Sequence, residues 1–188
     1  MSLKVVSFQF NGFQENTYVV VSSNKNCVII DPGCYQKNEM LRLKEFINNN
    51  ELKPVKLVNT HCHIDHILGN KFVCKEWGLE LHAHKGDLNL LKNSELIAKM
   101  YGFEDYELSP YPKHFLRGGE KLTFGDTEFD IIFTPGHSPG HICLHNSKEK
   151  LIISGDVLFN GSIGRTDLPG GNYETLINSI KTHLLNLA

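Results

Sequence analysis

Residues 59–70, NTHCHIDHILGN, concentrate side chains that can bind a metal ion. Within six positions lie His61, His63, Asp65 and His66. A hydrophobic core gains nothing from such groups, because burying a polar group without a hydrogen-bond partner costs roughly 2–7 kcal/mol. Imidazole and carboxylate are ligands of zinc, and they also suit iron or manganese. The run therefore predicts a metal site, with a solvated turn as the alternative.

The hydrophobic pattern places this run in a loop between a strand and a helix. VKLVNT (55–60) is typical of a buried strand, and ILGNKFVCKEWG (67–78) has helical spacing. On an extended chain alternate side chains share a side, so His61 and His63 project together. Asp65 and His66 follow after the chain turns. One loop therefore offers two pairs of ligands to two adjacent positions.

Two further candidate ligands follow later strands. FTPGHSPGH (133–141) places His137 in a loop rich in Pro and Gly, and SGD (154–156) places Asp156 after another strand. Functional side chains are concentrated on loops that a rigid scaffold positions. We therefore expect both residues to join the centre formed by the first run.

The rest of the chain alternates short strands with amphipathic helices. Strands are predicted over 3–10, 16–22, 26–33, 79–83, 141–146 and 150–156, a hairpin over 120–134, and helices over 38–50, 87–100 and from 172 onward. Strands in two groups, each followed by helices, predict two sheets packed face to face with helices outside. Residues 101–117 show no clean period and are expected to form a lip over the site or a packed surface loop.

Composition bounds the class of protein. The 188 residues are 40% hydrophobic and carry a formal charge of −2, which is typical of one globular domain. The absence of a block rich in Lys and Arg argues against a nucleic-acid partner and against a nuclease. No apolar run approaches the roughly 18 residues that a membrane span needs, and the start does not read as a signal peptide. We therefore expect a cytoplasmic protein that does not bind membranes, of unknown oligomeric state.

The five cysteines are scattered without paired spacing. In a chain without a secretory signal they are interpreted as free thiols. Cys62 lies between the two histidines of the first pair, so its side chain should face away from them. It is expected to be structural.

Three motifs carry a family resemblance. THCHIDH, TPGHSPGH and SGD, in this order, resemble the metallo-β-lactamase superfamily, whose α/β fold is an αββα sandwich of two mixed sheets. FNGSIGRTDLPGG (159–171) is similar to the small relatives of glyoxalase II, the hydroxyacylglutathione hydrolases. The similarity covers nearly the whole chain and implies a single domain over residues 1–188.

The resemblance implies a role for each candidate ligand. One metal would be bound by His61, His63 and His137, a second by Asp65 and His66, and both by Asp156. The family's last ligand, a histidine in a Gly-His motif after the final helix, has no counterpart before Ala188. His183 lies within that helix and lacks the motif. The second position is therefore expected to be incomplete and weaker than the first.

Three more residues are expected to act beside the ligands. Asp31, in IIDPG (29–33), resembles the family's Asp that braces the metal loop, although an Asx turn before Pro32 fits equally well. His141 is expected to hydrogen-bond near the site without binding metal. Arg165 matches a basic residue that binds an anionic part of the substrate in relatives, and an exposed arginine without such a role is the alternative.

The expected function is metal-dependent hydrolysis of a thioester such as a hydroxyacylglutathione. Bound zinc, or iron or manganese, lowers the pKa of water from about 16 to about 7 and so provides hydroxide at neutral pH. Asp65 would orient that hydroxide as a catalytic residue. The substrate is expected to be a small anionic molecule. An iron-dependent persulfide dioxygenase and a non-catalytic metal-binding module are the alternatives.

Overall fold

A six-stranded sheet forms the first half of the computed structural model, which describes residues 3–187. Its strands are β1 (Lys4–Phe10), β2 (Glu15–Val21), β3 (Asn26–Ile30), β4 (Lys53–Val58), β5 (Leu81–His84) and β6 (His114–Leu116). They lie side by side in chain order. The first three strands are antiparallel and β3 to β6 are parallel, so this sheet is mixed.

A four-stranded sheet forms the second half, in the order β10-β9-β8-β7. Its strands are β7 (Lys121–Phe124), β8 (Thr127–Phe133), β9 (Ile142–Asn146) and β10 (Leu151–Ile153). All its described pairings are antiparallel. A small hairpin of β11 (Leu158–Phe159) and β12 (Ser162–Ile163) follows.

Five α-helices flank the sheets in the described residues. They are α1 (Lys37–Asn49), α2 (Ile64–Ile67), α3 (Asn70–Trp77), α4 (Leu88–Met100) and α5 (Tyr173–Ser179), the last continued by a π-helical turn over Ile180–Leu184. Local signals fix several ends: a capping box of Gln36 and Glu39 begins α1, and Gly78 ends α3 in a left-handed conformation. None of these helices is long and apolar enough to cross a membrane.

Three apolar clusters hold these layers together. The central cluster joins facing side chains of both sheets, among them Val28 and Ile30 of β3 and Ile131 of β8. A second cluster packs α1, α3 and α4 on the outer face of the first sheet. A third packs α5 on the outer face of the second sheet. The predicted arrangement of two packed sheets with helices outside is confirmed.

The structure differs from the sequence predictions in detail. Residues 101–117, predicted as a long segment without regular structure, contain the short strand β6. A strand of three residues is too short to show the hydrophobic periodicity that would predict it. The helix predicted over 67–78 begins earlier, as α2, and is interrupted before α3. The assignment of residues 1–188 to one domain stays a prediction, and residues 1, 2 and 188 lie outside the described part.

Candidate metal centre

The loops at one edge of the sandwich bring the candidate ligands together. His61 and His63 lie in the loop after β4, in the first sheet, whereas His137 lies in the loop between β8 and β9, in the second sheet. Asp156 follows β10, the edge strand of the second sheet. The candidate ligands therefore come from both sheets.

Three imidazole rings meet at the first position. His63 Nδ1 lies 2.8 Å from His137 Nε2, and that atom lies 3.2 Å from His61 Nε2. All three histidines are buried, and their ring nitrogens form a group compact enough to hold a metal ion. The structure thus places together the three residues that the sequence assigned to one metal.

The hydrogen-bond partners of the Nδ1 atoms of His137 and His61 indicate the protonation of these rings, and with it the kind of ligand that the three imidazoles can hold. His137 Nδ1 donates to the Arg165 carbonyl at 2.7 Å, and His61 Nδ1 lies 3.1 Å from the Thr60 hydroxyl, which donates to Asp31. These partners assign both protons to Nδ1, so the two facing Nε2 atoms present lone pairs to each other. Lone pairs at this separation repel unless a cation lies between them. The first position therefore fits a metal ion.

Burial keeps these imidazoles neutral. It lowers the pKa of His61 well below its ordinary value and the pKa of His63 to about 3, with neighbouring imidazoles adding to the effect. Burial also lowers the pKa of His137, although Asp156 opposes it. Neutral imidazole is the form that binds metal, so the site is suited to a cation at ordinary pH.

A second group of side chains lies beside the first. His66 Nε2 is 3.4 Å from Asp65 Oδ2 and 3.4 Å from Asp156 Oδ1. The other oxygen of Asp156, Oδ2, lies 3.7 Å from His137 Nε2. The Asp156 carboxylate is therefore placed between the two groups, as a ligand shared by two metals would be.

The charges of this second group depend on one another. Burial would lower the pKa of His66, but Asp65, Asp156 and Asp31 raise it well above its ordinary value. Burial also opposes ionisation of Asp156, yet its hydrogen bond to His66 and the charge on that ring hold its pKa below the ordinary value. Burial raises the pKa of Asp65. A cation at this position would replace the proton of His66 as the balancing charge.

Asp31 braces the metal-binding loop from beneath. Its Oδ1 accepts from the Thr60 backbone N–H at 2.7 Å and its Oδ2 from the Thr60 hydroxyl at 2.5 Å. Oδ2 also lies 3.2 Å from His66 Nδ1. The alternative Asx turn is not what the structure shows, because the Gly33 N–H donates to the Thr17 hydroxyl instead. The side chain thus holds the loop through Thr60 and lies against the His66 ring.

His141 lies next to the ligands and contacts two of them. Its ring stacks on His61 with centroids 4.7 Å apart, and its Nε2 accepts from the Asp156 backbone N–H at 3.1 Å. The preceding Gly155 adopts φ +48°, and a Cβ there would lie 2.7 Å from that same nitrogen. Glycine is required at this turn because nothing larger fits between the two loops.

Arg165 lies beside the first position but is already paired. Its carbonyl accepts from His137, and its guanidinium makes two parallel hydrogen bonds of 2.7 Å to the Asp167 carboxylate. Both side chains are exposed. The predicted anion-binding role of Arg165 stays a prediction, and an anion would have to compete with Asp167.

Two buried carboxylates near the centre were missed by the sequence analysis. Glu15, at the start of β2, has Oε1 3.8 Å from His66 Nδ1, and that oxygen has no hydrogen-bond partner among residues 3–187. Asp87, before α4, accepts three hydrogen bonds from the loops that carry the histidines. Nothing in their local sequence distinguishes them from a strand end and a helix start.

A cleft of about 380 Å³ opens beside the second group. Its walls include Asp65, His66 and Asp156, and its apolar side includes Phe13 and Phe159, both nearly half exposed. A small molecule with an apolar portion can therefore reach the ligands.

Comparison with known proteins identifies a family. A model of the metallo-beta-lactamase superfamily matches residues 10–188. The probable metallo-hydrolase YqgX of Bacillus subtilis (strain 168) is 37% identical over 175 residues, which are 93% of this chain and 80% of that protein. The hydroxyacylglutathione hydrolase GloC of Haemophilus influenzae is 37% identical over 176 residues, covering 93% of this chain and 81% of that protein.

Solved structures with the same fold were also found. The BLEG-1 B3 metallo-beta-lactamase has a TM-score of 0.86 at 31% identity and covers 98% of this chain and 87% of its own. TTHA1623, solved in a di-iron-bound form, has a TM-score of 0.85 at 32% identity. The match covers 96% of this chain and 86% of the TTHA1623 chain.

Proposed function

The chain belongs to the metallo-beta-lactamase superfamily, and from this we propose that it is a metal-dependent hydrolase that cleaves a thioester such as a hydroxyacylglutathione. The observation that carries the proposal is the position of Asp156, whose two carboxylate oxygens face His66 and His137 separately. A carboxylate between two groups of ligands is suited to two adjacent cations. The similarity to a hydroxyacylglutathione hydrolase supports the choice of a thioester.

The six candidate ligands divide into two sets. His61, His63, His137 and Asp156 would hold the first metal, and Asp65, His66 and Asp156 the second. When bound, such dications supply a Lewis acid for a carbonyl oxygen and hydroxide at neutral pH. Zinc suits this mixture of imidazole and carboxylate, and the di-iron relative makes iron the second candidate.

Asp65 is the proposed catalytic residue among these ligands. Its side chain is about one-fifth exposed, on the wall of the cleft. From there the carboxylate can accept a hydrogen bond from the attacking water and direct the water toward the substrate carbonyl. This chain needs no serine or cysteine nucleophile for the reaction.

The substrate would lie across the cleft with its reacting carbonyl near Asp156. Phe13 and Phe159 offer apolar contact for the acyl portion. Arg165 would bind an anionic group beside the first position, after displacing Asp167 from its guanidinium. The proposed substrate is therefore a small anionic thioester.

The test is a substrate panel with the metal content known. Protein purified without added metal is analysed for zinc and iron, then assayed with a hydroxyacyl thioester of glutathione, its oxygen ester, a glutathione persulfide and a cephalosporin. The proposal expects thioester cleavage that is lost on chelation and restored by metal.

Other outcomes would replace the proposal. Oxygen consumption with the persulfide alone would establish the dioxygenase alternative. Cleavage of the β-lactam alone would place the chain with the lactamases of its fold. Full metal occupancy without turnover of any substrate would establish a non-catalytic metal-binding module.

A further inference from the structure

Asp87 is a fully buried carboxylate outside the set of candidate ligands. It ends a 3₁₀ turn over Lys85–Asp87, directly before α4. Its Oδ2 accepts from the Cys62 backbone N–H at 2.9 Å and from the Ser138 hydroxyl at 2.9 Å. Its Oδ1 accepts from the Gly140 backbone N–H at 2.5 Å. All three partners are hydrogen-bond donors, and both carboxylate oxygens are used.

The partners of Asp87 belong to two different loops. Cys62 lies between His61 and His63, in the loop that follows β4 of the first sheet. Ser138 and Gly140 lie in the His137 loop of the second sheet. One carboxylate therefore joins the two loops whose imidazoles meet at the first metal position.

Glycines allow the turn that carries Asp87 to lie close to the His137 loop. A Cβ on Gly140 would lie 2.6 Å from the Asp87 backbone N and 2.7 Å from its Oδ1. A Cβ on Gly86 would lie 2.8 Å from the Pro139 carbonyl oxygen. Real Cβ atoms do not approach so closely, so glycine at both positions lets the turn seat against the His137 loop.

We propose that Asp87 is a positioning residue that holds the first metal position preformed, by fixing the His61–His63 loop against the His137 loop before any metal binds. The Nε2 atoms of His61 and His137 do not hold each other, because the lone pairs that face across 3.2 Å repel, and without metal only a hydrogen bond between His63 Nδ1 and His137 Nε2 can join the three rings. Further ties between the loops must therefore come from other groups. Groups that orient the ligands of a metal change its affinity about 10–100-fold when they are removed.

A backbone hydrogen bond at the bases of the two histidine loops also joins them, and it does not depend on the Asp87 side chain. The Ile142 N–H donates to the Thr60 carbonyl at 2.9 Å and also links the two sheets. That bond survives any side-chain substitution at Asp87. The sheets should therefore stay packed in an Asp87 variant, while the loops beyond this bond lose their connection.

Asp87→Asn tests the proposal with almost no change of shape. Asparagine has one acceptor oxygen where the carboxylate has two, so at least one of the three donors is left facing an amide N–H. Ser94→Ala is the matched control: Ser94 is buried like Asp87, lies on the helix that Asp87 precedes, and its hydroxyl hydrogen-bonds to Leu91 and Tyr106, outside both histidine loops. Zinc affinity is measured by competition with a chromophoric chelator, and Tm is measured for the metal-free proteins.

The expected result separates positioning from general stability. Asp87→Asn should weaken zinc binding at the tighter position about 10–100-fold, whereas Ser94→Ala should lower Tm and leave zinc affinity unchanged. If Asp87→Asn fails to fold, Ser138→Ala, which removes one of the three hydrogen bonds, should still weaken zinc binding. Unchanged zinc affinity in a folded Asp87→Asn protein, or an equal loss in Ser94→Ala, would overturn the proposal. The readout is metal binding, so it does not depend on which substrate is hydrolysed.

Discussion

The backbone N–H of Asp156 donates a hydrogen bond to Nε2 of His141, 3.1 Å away. This nitrogen is therefore an acceptor and faces a protein group instead of a metal. The opposite ring nitrogen lies 3.3 Å from the Thr134 hydroxyl. His141 is placed to orient the carboxylate that faces both groups of candidate ligands.

Replacing His141 tests this orientation. His141→Phe keeps a ring that can stack on His61 but removes the acceptor for Asp156. We expect metal content per chain to fall, because a loosened ligand lowers affinity about 10–100-fold. His145→Phe, on the strand β9 that follows His141 and outside the centre, is the control and should retain its metal. Equal metal content in both variants, measured by elemental analysis, would show that Asp156 needs no such support.

Asp65→Asn tests the catalytic role proposed for this carboxylate. The amide cannot accept a proton from water, so we expect kcat for the thioester to fall about a hundredfold or more, in the range for general acid–base groups. KM should change little. Because Asp65 is also a candidate ligand of the second metal, metal analysis of the same sample has to show that neither position has lost its metal. Activity near that of the wild type would exclude Asp65 from the reaction.

Arg165 and Asp167 should have opposite effects on anionic substrates. Arg165→Ala removes the guanidinium and should raise KM for a glutathione thioester several-fold with kcat nearly unchanged, the pattern of lost uniform binding. Asp167→Asn removes the charge that now occupies the guanidinium and should lower that KM. A neutral thioester is the control substrate. If it responds to both variants in the same way, Arg165 has a structural role.

His82, which is not a candidate metal ligand, should make the folded protein sensitive to acid. Burial lowers its pKa to about 4, whereas an unfolded histidine has a pKa of about 6.5. The stability that comes from the neutral ring is therefore full above about pH 6.5 and is lost as the pH falls toward 4. His82→Phe keeps the stacking on His114, 4.3 Å between centroids. Its Tm should fall less steeply over this range, and a slope equal to that of the wild type would contradict the assignment.

Local patterns in the sequence were enough to predict the layers and the candidate ligands, whereas the division of those ligands between two metals came from the family resemblance. The spacing of His61 and His63 after a buried strand, and the strand-end positions of His137 and Asp156, follow from the chain alone. These residues lie together because strand ends share an edge, which a periodic pattern can predict. The short strand β6 was missed because three residues show too little periodicity.

The supporting groups could not be predicted in the same way. Asp87 is 25 residues from Cys62 and 53 residues from Gly140 along the chain, and only the packing of both sheets brings them together. The pairing of Arg165 with Asp167 is a choice of rotamers that residue types do not reveal. Sequence patterns predict candidate metal ligands, whereas the groups that would orient those ligands depend on tertiary contacts.

A crystal structure with anomalous diffraction measured at the zinc edge tests the central claim most directly. Crystals of the protein loaded with zinc should show a peak within about 2.0–2.1 Å of His61 Nε2, His63 Nδ1 and His137 Nε2, the usual zinc–imidazole distance. The Asp156 carboxylate should lie between that peak and any second peak near His66. His63→Ala crystals should lose the first peak. A zinc peak bound by other residues, or one that persists in His63→Ala, would contradict the metal centre described above.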